Sequence, residues 1–405
     1  MVARTIYFRS IIFLLLITSC KTRSDLQIST ISSYTEVYKN KTITTISAPT
    51  LENKKPNSIE ISSTSTTDPI QKTQISIQTR VAKTQTQQIY LTQEALELII
   101  SPLNVDQIDK RTCFSFEPED IQTFAISPKV DLIAVGLSYN SVIFLNKFPD
   151  LEFAKSIIGT QKLTNVIKRI TISPAGDVIA SGTYGGKINL WQLSNGKLIN
   201  TLSGHKMEIT GITFNPDGKI LASGSFDHTI GLWNVSDGSL IQLLRGHKSF
   251  IQALAFSPND NILASGGGGQ SDSTIRLWDV ENYKLLSVLE NHIGGVYSIS
   301  FSPDGNMIAS AGADSVIRIW DVKNKKIINF LKGHKKGIIS VHFSPDGKLL
   351  VSSGNDGKLR IWNVNSGELI KTIDSQSEWV FSDFSLDGRY IVTGGGGGLL
   401  CSWGL

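Results

Sequence analysis

The sequence predicts an all-β fold: roughly 295 C-terminal residues arranged as seven four-stranded sheets around one axis, behind an export signal and a polar tether. Three observations carry that reading. First, one phrase recurs over residues 120–405: a β-branched run, Ser-Pro-Asp-Gly or a variant, Leu/Ile-Ala-Ser-Gly, then Ile-x-Ile/Leu-Trp-Asp/Asn. Pro174 to Trp191, Pro216 to Trp233, Pro303 to Trp320 and Pro345 to Trp362 are each seventeen residues apart, and successive tryptophans from Trp191 to Trp403 lie 42, 45, 42, 42 and 41 apart. A period near 42 means one supersecondary unit repeated. Second, short apolar runs are separated by Asp-Gly and Asn-Gly pairs, which adopt the positive φ of tight hairpins cheaply. Third, residues 21–90 are rich in Ser, Thr, Gln, Lys and Asn and poor in aromatics, too polar to bury a core.

Each repeat reads as four strands. In the best copy an alternating run at 209–214 turns at Asn215-Pro216-Asp217-Gly218, and 220–223 follows. A second turn at Phe226-Asp227-His228 leads to 229–235, and a third at Ser236-Asp237-Gly238 to 240–244. One such sheet cannot bury both faces, whereas several packed around an axis can.

Gly204-His205, Gly246-His247 and Gly333-His334 precede three repeats, with Asn291-His292 a variant. Trp278-Asp279 and Trp320-Asp321 end two, with Asn234 and Asn363 in the Asp place of two others. This pattern resembles the WD-repeat (WD40) family over about residues 110–405, and the resemblance implies a seven-bladed WD40-type β-propeller. By the seventeen-residue ruler, Pro128 leads to Leu145, marking a degenerate first blade whose Trp has become Leu. Leu386-Asp387-Gly388 leads to Trp403 in the last blade, where the chain stops before a fourth strand. An open edge there would invite aggregation, so residues 110–116 are assigned as the fourth strand of blade seven, placing Cys401 across from about Phe114. Residues 91–109 form the lead-in, with a helical turn or two expected before Ser101-Pro102.

His205/Ser223/Asp227/Trp233, His247/Ser265/Asp272/Trp278, His292/Ser310/Asp314/Trp320 and His334/Ser352/Asp356/Trp362 recur at matched positions. His, Ser and Asp together invite a hydrolase reading. Four copies, each with its Trp, instead match the tetrad that the WD-repeat resemblance implies, in which Asp orients His, His meets Ser, and Ser meets the indole N–H. Blade two is expected to carry Leu163 and Gly185 in the His and Asp places while keeping Ser181 and Trp191. Blade seven is expected to carry Ser375 and Gly397 there while keeping Thr393 and Trp403. The ring is therefore expected to be softest at blades seven and one.

Residues 1–19 hold Arg4, Arg9 and an apolar run at 11–17. The run is too short to span a bilayer, which needs about 20 residues, and has the plan of a secretory signal. Ile17-Thr18-Ser19-Cys20 resembles the bacterial lipobox, which implies acylation of Cys20, a durable anchor when two or more chains are attached. The alternatives are an ordinary secretory cleavage site and a protein that stays in the cytoplasm. Residues 20–90 then form a tether spanning roughly 45 Å r.m.s. as a coil.

The chain carries +4 overall. Arg4 and Arg9 lie in the signal and residues 20–90 hold nine basic and five acidic side chains, which leaves residues 91–405 at −2. A near-neutral ring gives no case for nucleic acid. Cys113 and Cys401 fall on adjoining strands of blade seven, either as two small apolar residues or as a disulfide locking the ring. No cysteine or histidine cluster has metal-ligand spacing, and no cofactor is expected. The glycine runs at 266–269 and 394–398 lack the phosphate-loop pattern and read as turns.

The His–Asp bond of each tetrad would bring two loops to one end of the ring. That end carries Lys206, Met207, Phe226, Lys248, Phe250, Gln270, Lys335, Lys336 and Asn355, aromatics with basic neighbours that could anchor a partner. The expected function is a monomeric, membrane-tethered, extracytoplasmic scaffold for protein partners, without enzymatic activity. The alternatives are a sensor or carrier with a small ligand in the central channel and, less in keeping with the residues, an enzyme using the channel mouth.

Overall fold

The computed structural model describes residues 100–404 apart from 103, 118, 138–141, 159–165 and 260. The signal, Cys20, the tether, the stretch before residue 100 and Leu163 lie outside the described residues. Within them the chain is a seven-bladed β-propeller, each blade a four-stranded antiparallel sheet.

Blade three shows how sequence becomes sheet. Ile209–Phe214, Ile220–Ser225, Ile230–Asn234 and Leu240–Leu244 pair in chain order from the axis outward. The second strand is buried at nearly every residue, whereas the outer strand alternates between exposed and covered positions. A strand between two neighbouring blades is covered on both faces and so reads as an unbroken apolar and small-residue run. In blades one to six the first strand carries a bulge after its first residue, as between Ile209 and Gly211. The first strand of blade seven, Val380–Phe384, has none.

The core lies between blades. Trp233 packs with Phe214 and Leu221 of its own blade and with Leu190 and Leu202 of blade two. Trp362 likewise joins Ile338 and Val341 to Ile317 and Ile319 of blade five. The seam between blades seven and one is built differently, from Val392 and Leu400 against Ile121, Ile133 and Val135.

Two features of that region correct the sequence reading. In blade one, Ile133 pairs with Asn146, as Ile179 pairs with Trp191 and Leu221 with Trp233. The outer-strand bulge also falls before Asn146, as it does before Trp191. Asn146, not Leu145, therefore stands in the Trp place, because the preceding hairpin is one residue longer. Asn146 is fully buried and its amide donates to Leu151 O at 2.8 Å. In blade seven the His place belongs to Gln376, not Ser375: it is fourteen residues after Trp362, as His334 is after Trp320. Gln376 is exposed at φ 60°, while Ser375 is buried and donates to Gly357 O at 2.7 Å.

The fourth strand of blade seven is Asp109–Ser115, hydrogen-bonded to Leu399–Gly404. Cys401 lies opposite Cys113 rather than Phe114, and the two form a disulfide across 288 residues. Just before this strand, Ile100, Val105 and Ile108 are buried in the cluster shared by blades six and seven. Lys371 Nζ donates to Asp106 O and Ile108 O at 2.6 and 3.0 Å. Helical structure in the described lead-in is one short 3₁₀ turn, Val105–Gln107.

Candidate interaction face and central channel

Each tetrad is a hydrogen-bond chain from a strand to a loop. In blade three the Trp233 indole N–H donates to Ser223 Oγ at 2.7 Å, Ser223 Oγ lies 2.8 Å from His205 Nε2, and His205 Nδ1 lies 3.0 Å from Asp227. Blade four repeats this with Trp278, Ser265, His247 and Asp272 at 2.8, 2.7 and 2.8 Å. An ionised aspartate can only accept, so Nδ1–H donates to it, Nε2 accepts from Ser, and Ser accepts from Trp. Thr229 and Thr274 each add an O–H donor to that carboxylate at 2.6 Å. Burial would raise Asp227 and Asp272, but hydrogen bonds from the histidine, threonine and a loop amide hold both far below the usual carboxylate range.

In blades five and six Val316 and Lys358 stand in the threonine place, and an arginine two residues further on serves the carboxylate instead. Ser310 and Ser352 hold their Trp and His at 2.8 Å. Arg318 and Arg360 then pair with Asp314 and Asp356 at 2.8 Å, with both partners of each pair nearly buried. Burial would raise Asp314, yet bonds from His292 and the Ile293 amide and the charge of Arg318 hold it down to about 2. For His292 and His334, burial opposes protonation most, the adjacent arginine adds to it, and the aspartate only partly compensates.

This arrangement fixes a pH dependence. A histidine whose folded pKa is lowered takes up a proton in the unfolded chain first, so stability falls as pH drops below about 6.5, by up to 1.4 kcal/mol per pH unit for each such histidine. The depressed aspartates add a further loss below about pH 4, where the unfolded carboxylates protonate first. Asp383, raised by burial, works in the opposite sense. The urea midpoint should be lower at pH 5 than at pH 7, and a flat profile would refute the assignment.

The aspartates also place the face. Their carboxylates accept the amides of Lys206, Lys248, Ile293 and Lys335, presenting those residues at one end of the ring. Phe226 and Phe250 stack there with centroids 4.5 Å apart at 7°, beside exposed Met207.

Two family descriptions match this architecture. "WD domain, G-beta repeat" matches residues 196–234, 238–279, 283–321 and 325–363. The chain belongs to the WD-repeat family. "Anaphase-promoting complex subunit 4 WD40 domain" matches residues 124–214, which extends the likeness into the degenerate blades. No curated protein matches the chain. WD-repeat propellers are typically non-catalytic scaffolds for protein interaction. Among the described residues no cluster of three His, Cys, Asp or Glu side chains is placed to hold a metal ion.

On the tetrad face of this WD-repeat propeller the structure adds residues that sequence reasoning missed. Ile293 takes the place that lysine holds in blades three, four and six and is 80 % exposed. Tyr184 takes the place of Phe226 in blade two and is also exposed. Trp379 precedes the first strand of blade seven just as Phe250 precedes that of blade four. The signal for it was arithmetic: six of the seven tryptophans keep the repeat register and Trp379 does not.

The glycine runs acquire a reason here. A Cβ on Gly268 would lie 2.1 Å from the Phe250 ring, and one on Gly396 would lie 2.9 Å from Trp379 Nε1. Glycine therefore stands where an aromatic lies over the facing turn. Gln270 and Asn355 are exposed on the equivalent turns of blades four and six. Lys335, Lys336, Asn355, Glu378 and Trp379 line a recess of about 700 Å³ at the channel mouth. Asn355 and Trp379 also line the central channel, about 600 Å³, to which the first strand of every blade contributes.

Proposed function

We propose that this chain is an extracytoplasmic scaffold, anchored through an acylated Cys20, whose single propeller receives a protein partner on the tetrad face. The observation that carries the partner reading is the face itself. Apolar Tyr184, Met207, Phe226 and Ile293 are exposed there, amid Lys206, Lys248, Lys335 and Lys336, and none of these lysines forms an ion pair with a described residue. Apolar anchors within a basic rim suit a partner with an acidic surface and protruding apolar side chains. The Cys113–Cys401 disulfide supports an oxidising compartment.

Two measurements separate location from partner. Cys20→Ala should turn a detergent-extracted protein into a soluble or unprocessed one, and a free Cys20 or a different mature N-terminus in mass spectrometry refutes the anchor. Replacing Met207, Phe226 and Ile293 together by serine should leave the melting temperature within about 2 °C, since exposed positions carry little stability. Capture of a stoichiometric partner should fall at least tenfold, the scale of one interface hot spot. Undiminished capture by the triple variant would move the interface off this face.

A further inference from the structure

The repeats act as their own control for the channel. In the first strands, the position paired with the second-strand Gly182 or its equivalent holds Thr123, Gly211, Ala253, Ser298 and Ser340 in five blades. Blade two holds Arg169 there and blade seven holds Phe381. Two residues further on, five blades carry Ala or a small hydroxyl residue, whereas blades six and seven carry His342 and Asp383. A closed ring needs small side chains at these crowded positions, so four large or ionisable exceptions are not required by the fold. All four line the same channel.

Among the described residues Arg169 has no carboxylate in ion-pair range. Its Nη1 donates to Lys168 O at 2.7 Å, and the nearest acid acting on it, Glu208, is already paired with Lys168 at 3.4 Å. His342 and Asp383 lie 3.4 Å apart and answer each other. Arg169 is thus the one large cation in the channel lining that the fold leaves without an anion. Its planar donor fork is suited to bidentate binding of a carboxylate. Phe124, Leu254, Ile339 and Phe381 supply apolar wall around it. The channel volume lies in the range that holds small ligands, and its wall mixes these apolar side chains with polar ones such as Gln122, Gln252, Ser298 and Ser340.

We propose that the central channel is a binding site for a small organic acid, its carboxylate on Arg169 and its apolar body against Phe381 and Leu254. This proposal does not rest on the scaffold reading, and its failure would leave that reading untouched.

The test uses the purified full chain and 3-phenylpropionate, with phenethylamine as the cationic control of similar shape. Equilibrium dialysis should show one equivalent of 3-phenylpropionate bound and no phenethylamine. Arg169→Gln should weaken binding at least tenfold while preserving the melting temperature, because a smaller neutral side chain is what five other blades carry at this position. Arg169→Lys keeps the charge but not the fork and should bind with intermediate affinity, so the series remains readable should the Gln variant misfold. Ligand should raise the melting temperature of the unsubstituted chain and not that of Arg169→Gln. No binding up to about 10 mM, a weaker limit than any specific site of this kind, overturns the proposal. So does equal binding by Arg169→Gln, or binding of phenethylamine as tight as that of the acid.

Discussion

A chain beginning at residue 119 is expected to aggregate, whereas one lacking residues 21–90 should fold as the full chain does. The first deletion removes Asp109–Ser115 and leaves Leu399–Gly404 with a row of unpaired backbone groups along its outer edge, a template for pairing with another copy. It also strips Ile100, Val105 and Ile108 from the cluster that joins blades six and seven. Fully burying each such side chain contributes about 1.5–3 kcal/mol, so the loss is comparable to much of the stability of an ordinary domain. The disulfide adds to the clasp. Joining residues 288 apart restricts the unfolded chain strongly, and reduction should cost about 2–4 kcal/mol. Light scattering and urea midpoints check the whole set. A fragment 119–405 that is monomeric and as stable as the longer chain refutes the clasp. A midpoint insensitive to reductant would leave the strand but discount the bridge.

What the sequence made legible follows from how local each signal is. Blades three to six were readable because turn glycines, buried alternation and the Trp register agree within each forty-residue unit. Blade one was misaligned by one residue because its hairpin is longer, and a ruler from Pro128 has no means of seeing an inserted turn residue. Ser375 lies eighteen residues before Thr393, the His-to-Ser spacing of blades three to six, but the first strand of blade seven lacks their bulge residue, so that ruler falls one residue short of Gln376. The clasp was legible as a missing strand, but its register needed the pairing itself to bring Cys401 to Cys113. The face was read in part: lysines and aromatics after a Gly-His signal stood out, while Ile293 and Trp379 break the pattern that made the others visible. Arg169 escaped notice because an arginine in an amphipathic strand looks like solvated surface. Only ring closure turns that strand inward, and only comparison with the same position in other blades marks it as out of place.

The tetrads of blades three and five should respond differently to loss of their aspartate. Asp227→Ala removes the acceptor for His205, Thr229 and the Lys206 amide and should cost about 1–3 kcal/mol. Asp314→Ala also strands Arg318, whose guanidinium is nearly buried, bound to Asn291 and 2.9 Å from His292. An uncompensated buried charge raises the expected cost to about 3–5 kcal/mol. Replacing Arg318 by Met in the Asp314→Ala background should recover part of that loss, because removing both members of a buried pair is far milder than removing one. The rescue separates charge burial from simple loss of a hydrogen bond. If both aspartate variants lose the same stability and the Met substitution restores nothing, Arg318 does not depend on Asp314 and the ion pair has no energetic role. An Asp314→Ala chain that kept its melting temperature while losing a hydrolytic activity would instead make the tetrad chemical machinery. The geometry argues against that outcome: every donor in the tetrad ends on a partner within the blade, leaving no serine hydroxyl aimed at a substrate.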